Sequence, residues 1–468
     1  MGGGLMQLVA YGAQDIYLTG NPQITFFKVV YRRHTNFSME TIEQTISGSS
    51  SAYGSGTVTV SRNGDLVYKV YVTVDSADPA AGGGNSIIDN IELEIGGQKI
   101  DKQTTLWNQI WADLTTPESK AAGFQCMTGG CSNAQLYGVN QIQVPLNFWF
   151  CRNPGLALPL IALQYHEVKL KCLWGATVGT RKVLCDYIYL DTDERRRFAQ
   201  VSHEYLIEQI QEQSADGTGS FKLIFNHPVK ELIWTSDAST GYTDALLKLN
   251  GHDRFSKQQE EYFQLRQPLD YHTAVPGQNI VLTDRPQLLA TPIDSGIQEH
   301  NTAVLGTTAV KITADSSVTG TITYAASQTI PFKVGDLFIS SLEPKSDSTK
   351  VSGGLIHEVI EVTSTVVKFQ PDLEGEPISG DAMQVFIVAR AQDPQSRTGS
   401  LTKKINVYSF ALKPEEHQPS GTCNFSRIDN AKLDITTAGG MGTDDIIYAV
   451  NYNVLRIMSG MGGLAYSN

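Results

Sequence analysis

Nine histidines and six cysteines are the residues of this 468-residue chain best suited to hold a metal ion or attack a substrate. Their spacing argues against both. A zinc protease needs His-Glu-x-x-His, which sets two imidazoles one helical turn apart. His203-Glu204 has Ile207 where the second histidine belongs, His166-Glu167 has Leu170, and His357-Glu358 has Glu361. No His-x-His pair occurs, so a β-barrel metal site has no obvious ligands. Cys126 and Cys131 are four residues apart and Cys172 and Cys185 twelve, neither of them the Cys-x-x-Cys of a zinc ribbon. Cys151, Cys172 and Cys185 have apolar neighbours, the setting of a buried, inert thiol. Neither a G-x-S-x-G elbow nor a Walker loop is present. The glycine clusters Gly82–Gly84, Gly439-Gly440-Met441-Gly442 and Gly460-Met461-Gly462-Gly463 lack the strand–turn–helix setting of a phosphate cradle and read as turns or bulges.

The densest charge cluster is DTDERRRF, Asp191–Phe198. An Asp-x-Asp pair can hold a divalent ion beside a nucleotide-sugar. Oxygen ligands flanked by three arginines make a poor cation site, so a salt-linked turn is expected, with Arg195–Arg197 balancing Asp191, Asp193 and Glu194. Two N-glycosylation sequons begin at Asn36 and Asn424. Asn424 lies among apolar, strand-like residues and is expected to be packed. The residues thus assign no catalytic, cofactor-binding or metal site.

Charged residues are only 18% of the chain, against about 25% in an average globular protein, and 36 tyrosines and phenylalanines are present. Such a composition excludes disorder, collagen and coiled coil and fits a turn-rich β protein. With 36 Lys+Arg against 48 Asp+Glu the net charge is −12, so direct nucleic-acid binding is not expected. The longest apolar run, Leu156–Leu163, is interrupted by Pro159 and is far short of the roughly 20 residues that span a bilayer. The start, MGGGLMQLVAYGAQD, shows no basic segment before an apolar core, so no secretory signal is expected, and Met6 stands where a myristoylation motif wants Ser or Thr. Cysteines this sparse imply free thiols in a reducing compartment.

Strand signals recur along the chain. Asn63-Gly64 lies between two β-branched runs in Thr57–Val74, and Gly96-Gly97 joins the alternating segments Ile91–Ile95 and Gln98–Asp101; both read as tight hairpins. Further strands are expected at Glu167–Leu173, Val183–Leu190, Phe221–Phe225, Glu231–Trp234, Lys404–Leu412 and Ile446–Val454. Helices are expected only in connections, at Thr104–Ala122 and Gly251–Gln267. Many short strands between Gly, Pro and Asn indicate a sandwich or barrel.

The organisation follows: an arm over 1–25, a first β block over 26–213 ending in the Gln-rich HEYLIEQIQEQ, the polar linker SADGTGS at 214–220, and a second block over 221–468. Within that block, about 300–395 differs, having no Cys or Trp and 11 acidic against 6 basic residues. It reads as a small β module inserted into a loop, with strands at Val310–Ile312, Thr321–Tyr324, Leu337–Ser340, Leu355–Val362, Thr365–Gln370 and Gln384–Ala389.

Four ordered segments then make the sequence specific: LVAYGAQDIYLTGNPQITFFKVVYRRHTNF (Leu8–Phe37), YIYLDTDERRRFAQVSHEYLIEQIQ (Tyr187–Gln211), INVYSFALKPEEHQPSGTCNFSRIDNAKL (Ile405–Leu433) and IYAVNYNVLRIMSGMGGLAYSN (Ile447–Asn468). Together they resemble the major capsid proteins of large icosahedral nucleocytoplasmic DNA viruses, the group of phycodnaviruses, iridoviruses and giant viruses. The resemblance spans nearly the whole chain except about 300–395. It implies an all-β double jelly roll, two tandem eight-stranded sandwiches, with the module in a loop of the second.

It further implies homotrimers that form pseudo-hexagonal capsomers tiling an icosahedral shell, assembled in the host cytoplasm, with no enzymatic activity and no cofactor. The implied partners are copies of the chain, neighbouring capsomers, and minor capsid and penton proteins. Gly12–Arg33 would be the arm and first strand at the inner base, where Arg32 and Arg33 suit either the internal membrane layer or ion pairing within the trimer. The module would stand on the outer tower, for host contact or glycan display. A jelly-roll lectin and a jelly-roll hydrolase are the competing classes; the second would need a carboxylate pair or histidine cluster that the sequence does not offer.

Overall fold

The computed structural model describes residues 3–10, 12–75, 87–129, 141–215, 219–236, 241–279, 396–398, 401, 403–436, 441–442 and 444–466. Between 310 and 389 it describes 310–311, 321–323, 332, 336–342, 356–363, 366–370 and 382–389. Gly82–Gly84, Cys131, Gly439-Gly440 and the middle of the expected linker lie outside the described residues.

Ten strands build the first sandwich: β1 (Phe37–Gln44), β2 (Ile46–Gly48), β3 (Ser55–Thr59), β4 (Leu66–Asp75), β5 (Ile88–Ile95), β6 (Gln98–Thr104), β7 (Gln141–Pro145), β8 (Leu158–Pro159), β9 (Val168–Trp174) and β10 (Arg181–Leu190). One sheet runs β1-β10-β4-β7 with β8 on β4; the other runs β2-β3-β9-β5-β6. Every pair is antiparallel, and β9 and β10 alternate buried with less buried residues, so one face of each sheet meets the other. Val58, Val72, Ile91, Leu93, Leu170 and Cys185 are among the fully buried residues between them.

Eleven strands build the second sandwich. They are β11 (His203–Ser214), β12 (Ser220–Leu223), β13 (Pro228–Ser236), β14 (Asp244–Leu249), β15 (His252–Asp253) and β16 (Gln258–Gln259), followed, after six strands described below, by β23 (Lys404–Ser409), β24 (Cys423–Asn424), β25 (Ala431–Thr436), β26 (Ile446–Met458) and β27 (Met461–Leu464). Its sheets are β11-β26-β13-β23, with β24 on β13 and β27 on β26, and β12-β25-β14-β15, with β16 on β14. Phe221, Trp234, Leu247, Leu433 and Ala449 lie between them. The chain is a double jelly roll.

The remaining strands, β17 (Val310–Lys311), β18 (Thr321–Thr323), β19 (Leu337–Leu342), β20 (Ile356–Val362), β21 (Val366–Gln370) and β22 (Ala382–Ala389), pair in the order β17-β22-β19-β20-β21-β18. Among the described residues this sheet shares no ladder with either sandwich.

Several expectations change. The Gly96-Gly97 hairpin forms, with φ of 57° and 86° at the two glycines and Ile95 opposite Gln98. Asn63-Gly64 makes no hairpin: β3 pairs with β2 and β9 while β4 pairs with β10, β7 and β8, so this turn carries the chain from one sheet to the other. A Cβ on Gly64 would sit 2.7 Å from that of Tyr187, so close packing is what requires the glycine. The expected helix 104–122 divides into Thr105–Thr115 and Glu118–Met127, because Pro117 cannot continue the first. In 251–267 short strands come first, and helix begins only at Glu260, turning π-helical over Tyr262–Arg266. Two short helices, Gly3–Val9 and Asp15–Thr19, lie in the arm, and the first strand starts at Phe37. The stretch 203–213, expected to end the first block, pairs along its full length with β26, because its apolar partners lie at the chain's far end.

Helix Thr105–Thr115 joins the halves. Thr104 caps it by accepting from Trp107 N, and Trp107, Ile110, Trp111 and Leu114 form one apolar stripe. The stripe packs on the outer face of the second sandwich, against Ile233, Ile405, Val407, Tyr448 and Val450. The Trp107 and Tyr448 rings are 5.2 Å apart. Truncating a buried aromatic of this kind costs about 3–5 kcal/mol. Trp107→Ala should therefore lower the urea midpoint and split one cooperative transition into two, read by far-ultraviolet circular dichroism.

Candidate assembly site

The polar residues singled out by sequence are scattered. His203 receives a ring-stacking contact from Phe198 and meets the Phe198 carbonyl at 2.8 Å, while His357 stacks against Phe338 and Phe369. His166 lies in a clasp between the halves: Gly462 N donates to its Nδ1 at 3.2 Å, and Tyr165 N donates to Gly460 O at 3.0 Å. Among the described residues no three His, Cys, Asp or Glu side chains gather as metal ligands. Burial raises the thiols of Cys151 and Cys172 to about 12. The expectation that every cysteine is a free thiol is corrected at Cys126, which is disulfide-bonded; Cys151, Cys172, Cys185 and Cys423 are free.

The DTDERRRF segment is a helix, Thr192–Gln200, and not a turn, because the Asp191 carboxylate accepts from Thr192 N and starts it. Arg195 does not balance its neighbours: its Nε donates to Asp65 Oδ1 at 2.8 Å, just before β4, the strand beside β10 in the same sheet. Asn36 is exposed just before β1. Asn424, expected to be packed, is exposed, and its Oδ1 accepts from Ser426 N at 3.0 Å as the cap of a short 3-10 turn.

Two buried polar clusters went unnoticed in the sequence. At the junction of the halves, the edges of β6 and β11 are bridged by side chains. Asp101 Oδ1 accepts from Ile210 N at 3.2 Å, Gln209 donates to Ile100 O, and Lys102 pairs with Glu212 at 3.0 Å. Behind them Glu208 is shared by Arg152 at 2.5 Å and the fully buried Lys230 at 2.7 Å. On the joining helix, Asp113 accepts from Gln278 Nε2 and from Arg397 N, each at 2.8 Å. Burial raises both carboxyls, Asp101 and Asp113, to about 7 against their hydrogen bonds.

The second cluster centres on His272, whose Nε2 and Nδ1 each lie 3.0 Å from a carboxylate, Glu231 and Glu415. Burial pulls its pKa down, but the two carboxylates outweigh burial and raise it to about 9. Those partners are 41 and 143 positions away, so a lone histidine gave no signal.

The unpartnered surface lies at the other end of the chain. From residue 12 to Thr41 every residue except Asp15 is exposed, and the segment is apolar: Phe26, Phe27 and Val29 are 88%, 97% and 94% accessible. It leads into β1, which pairs only with β10 among the described residues and presents Phe37 and Met39 at 58% and 49% accessibility. Apolar surface of this extent marks a contact with another molecule. No helix among the described residues is long and apolar enough to cross a membrane.

Two tandem jelly rolls, with an uncovered apolar arm ahead of them, put the chain in the double jelly-roll class of proteins. Known proteins agree. Residues 25–182 match the family described as major capsid protein N-terminus, and 390–463 match large eukaryotic DNA virus major capsid protein. The major capsid protein of Pyramimonas orientalis virus is 44% identical over the whole of both chains, and that of Paramecium bursaria Chlorella virus 1 is 36% identical over the whole of both. A solved chain of the PBCV-1 virus capsid, 28% identical, superposes with a TM-score of 0.58 over 95% of this chain and all of that one. The chain belongs to the major capsid protein family of large eukaryotic DNA viruses, a structural component of the virion and not an enzyme.

The raised carboxyls and imidazole give a signed pH dependence. Asp101 and Asp113 bind their protons more tightly folded than unfolded, so their contribution is full below about pH 4 and is lost as pH rises through 7. His272 contributes fully below about pH 6.5 and loses its contribution as pH rises through about 9. Denaturant unfolding should show stability falling by a few kcal/mol from pH 5 to 9. Asp101→Asn should flatten the lower part of that profile; an unchanged slope would mean that Asp101 is ionised throughout.

Proposed function

We propose that three copies assemble into a capsomer with true threefold and pseudo-sixfold symmetry, six similar jelly rolls in one ring, and that capsomers tile the shell of a large double-stranded DNA virus. The carrying observation is the uncovered apolar surface of the arm and β1, which a lone chain leaves in water. Minor capsid and penton proteins would meet the capsomer at its base and at the shell vertices, and assembly would take place in the host cytoplasm.

The arm is proposed as residues 1–36, the first jelly roll as the region ending at Leu190, and the second as beginning at β11. Residues 300–395 are proposed as a module on the outer face of the capsomer, for host contact or glycan display. The self-contained pairing of β17–β22 supports a separate unit, and its acidic, Thr/Ser-rich sequence supports exposure.

Light scattering on the purified chain should give three times 51.1 kDa, about 153 kDa, with hexagonal outlines in negative stain. A monodisperse monomer would sink the trimer reading. Deleting 300–395 should leave the oligomer intact. Loss of the trimer in that variant, with the sandwich still folded, would make the module a stabilising cap.

A further inference from the structure

The free edge of β1 and the exposed arm are two unpartnered surfaces of one chain, and their chemistries match. Every residue from Phe37 to Thr41 is exposed, and the edge of β1 turned away from β10 has no ladder partner among the described residues. Proteins blunt a bare edge with charge, a bulge or a cover, because its free N–H and C=O groups template another strand. Residues Phe37, Met39, Thr41 and Glu43 share one face of β1, beside Leu190, Ile188, Asp186 and Leu184 on β10. Ile188 and Leu190 belong to a small apolar cluster with Leu66, Tyr68 and Phe198 on the outer face of that sheet, so Phe37 and Met39 extend an apolar surface already begun. Its acidic groups are Glu43, which is exposed, and Asp186, which accepts from Thr41 Oγ1 at 2.6 Å; neither is in an ion pair among the described residues.

The arm has the complementary character. Residues 28–36 run without helix or strand pairing, and Ile24–Tyr31 is ITFFKVVY, with β-branched or aromatic side chains in seven of its eight positions. Lys28, Arg32 and Arg33 make it basic, with Asp15 the sole acidic residue before Glu40, in a chain of net charge −12.

We propose that the segment Ile24–Arg33 of one copy adds as a strand to the free edge of β1 of a second copy. Its apolar side chains cover Phe37 and Met39, and its basic groups meet Glu43 and Asp186. Backbone hydrogen bonds supply the affinity and the apolar and charged pairs the register. The contact is heterologous, arm to edge, and a threefold rotation between copies closes it into a ring. The inference rests on the trimer reading and names the contact that holds the trimer together.

Crosslinking the full chain tests it. One chain would carry Val29→Cys and a second, distinguishable by tag, Met39→Cys; the two are co-expressed and treated with a short bismaleimide, with each single variant alone as control for Cys423. An interchain product joining the two tags is expected, and adding Glu43→Lys to the second chain should reduce it on the order of tenfold, since like charges then meet. Trimers by light scattering without that product overturn this contact and leave the trimer standing. A crosslink formed only when both cysteines share one chain shows the arm folded on its own edge, and overturns it too. So does flotation of the wild-type chain with anionic vesicles when the interchain product is absent, which assigns the arm to a membrane surface. A monomeric chain overturns both readings together.

Discussion

The pairing of β11 with β26 holds the two halves of the molecule in one structure. Twelve consecutive rungs run from His203 opposite Ile457 to Ser214 opposite Ile446. One end of this ladder belongs to each core: Ile207, Leu455 and Ile457 are buried with the first sandwich, Ile447 and Ala449 with the second. A strand shared in this way leaves no hinge between the sandwiches, because bending there would break rungs and expose both cores. The helix Thr105–Thr115 adds a second tie, and the clasp of Tyr165 and His166 on the Gly460–Gly462 turn a third. These ties fix the relative orientation of the two sandwiches.

The polar groups at this junction fit the same requirement. Asp101, Asp113, Glu208 and Lys230 are buried, which is costly for a charged group unless each finds partners. Every one does so with residues far along the chain. A buried network of this type tolerates one arrangement of the halves, since any slip would strand a charge. The proton affinities follow from the same burial: Asp101 and Asp113 hold their protons nearly to neutrality, and His272, between two carboxylates, holds its proton beyond it.

The outside of the molecule is organised by what it leaves unmade. The arm and the edge of β1 lie beside each other in sequence and are both apolar and exposed. The sandwich cores, by contrast, are closed. Apolar surface left in water in this way is unfavourable to a chain that stays alone.

Sequence alone determined the class of fold and much of its parts. Strand-like runs located β9, β10, β13 and β26, Gly96-Gly97 specified its hairpin through positive φ, and the four ordered segments specified the capsid family. Tertiary structure decided which strand lies beside which. Alternation tells a strand which face is buried but not which neighbour it takes, so Asn63-Gly64 looked like a hairpin although Tyr187 and Asp65 direct it between sheets. The Gln-rich β11 looked like the end of the first half because its partner lies some 250 residues downstream, roughly the separation of Ile207 from Asn453. His272, Asp101 and Asp113 carried no local pattern, since the groups that shift them arrive from distant segments. Burial and long-range pairing exist only once the chain has closed on itself.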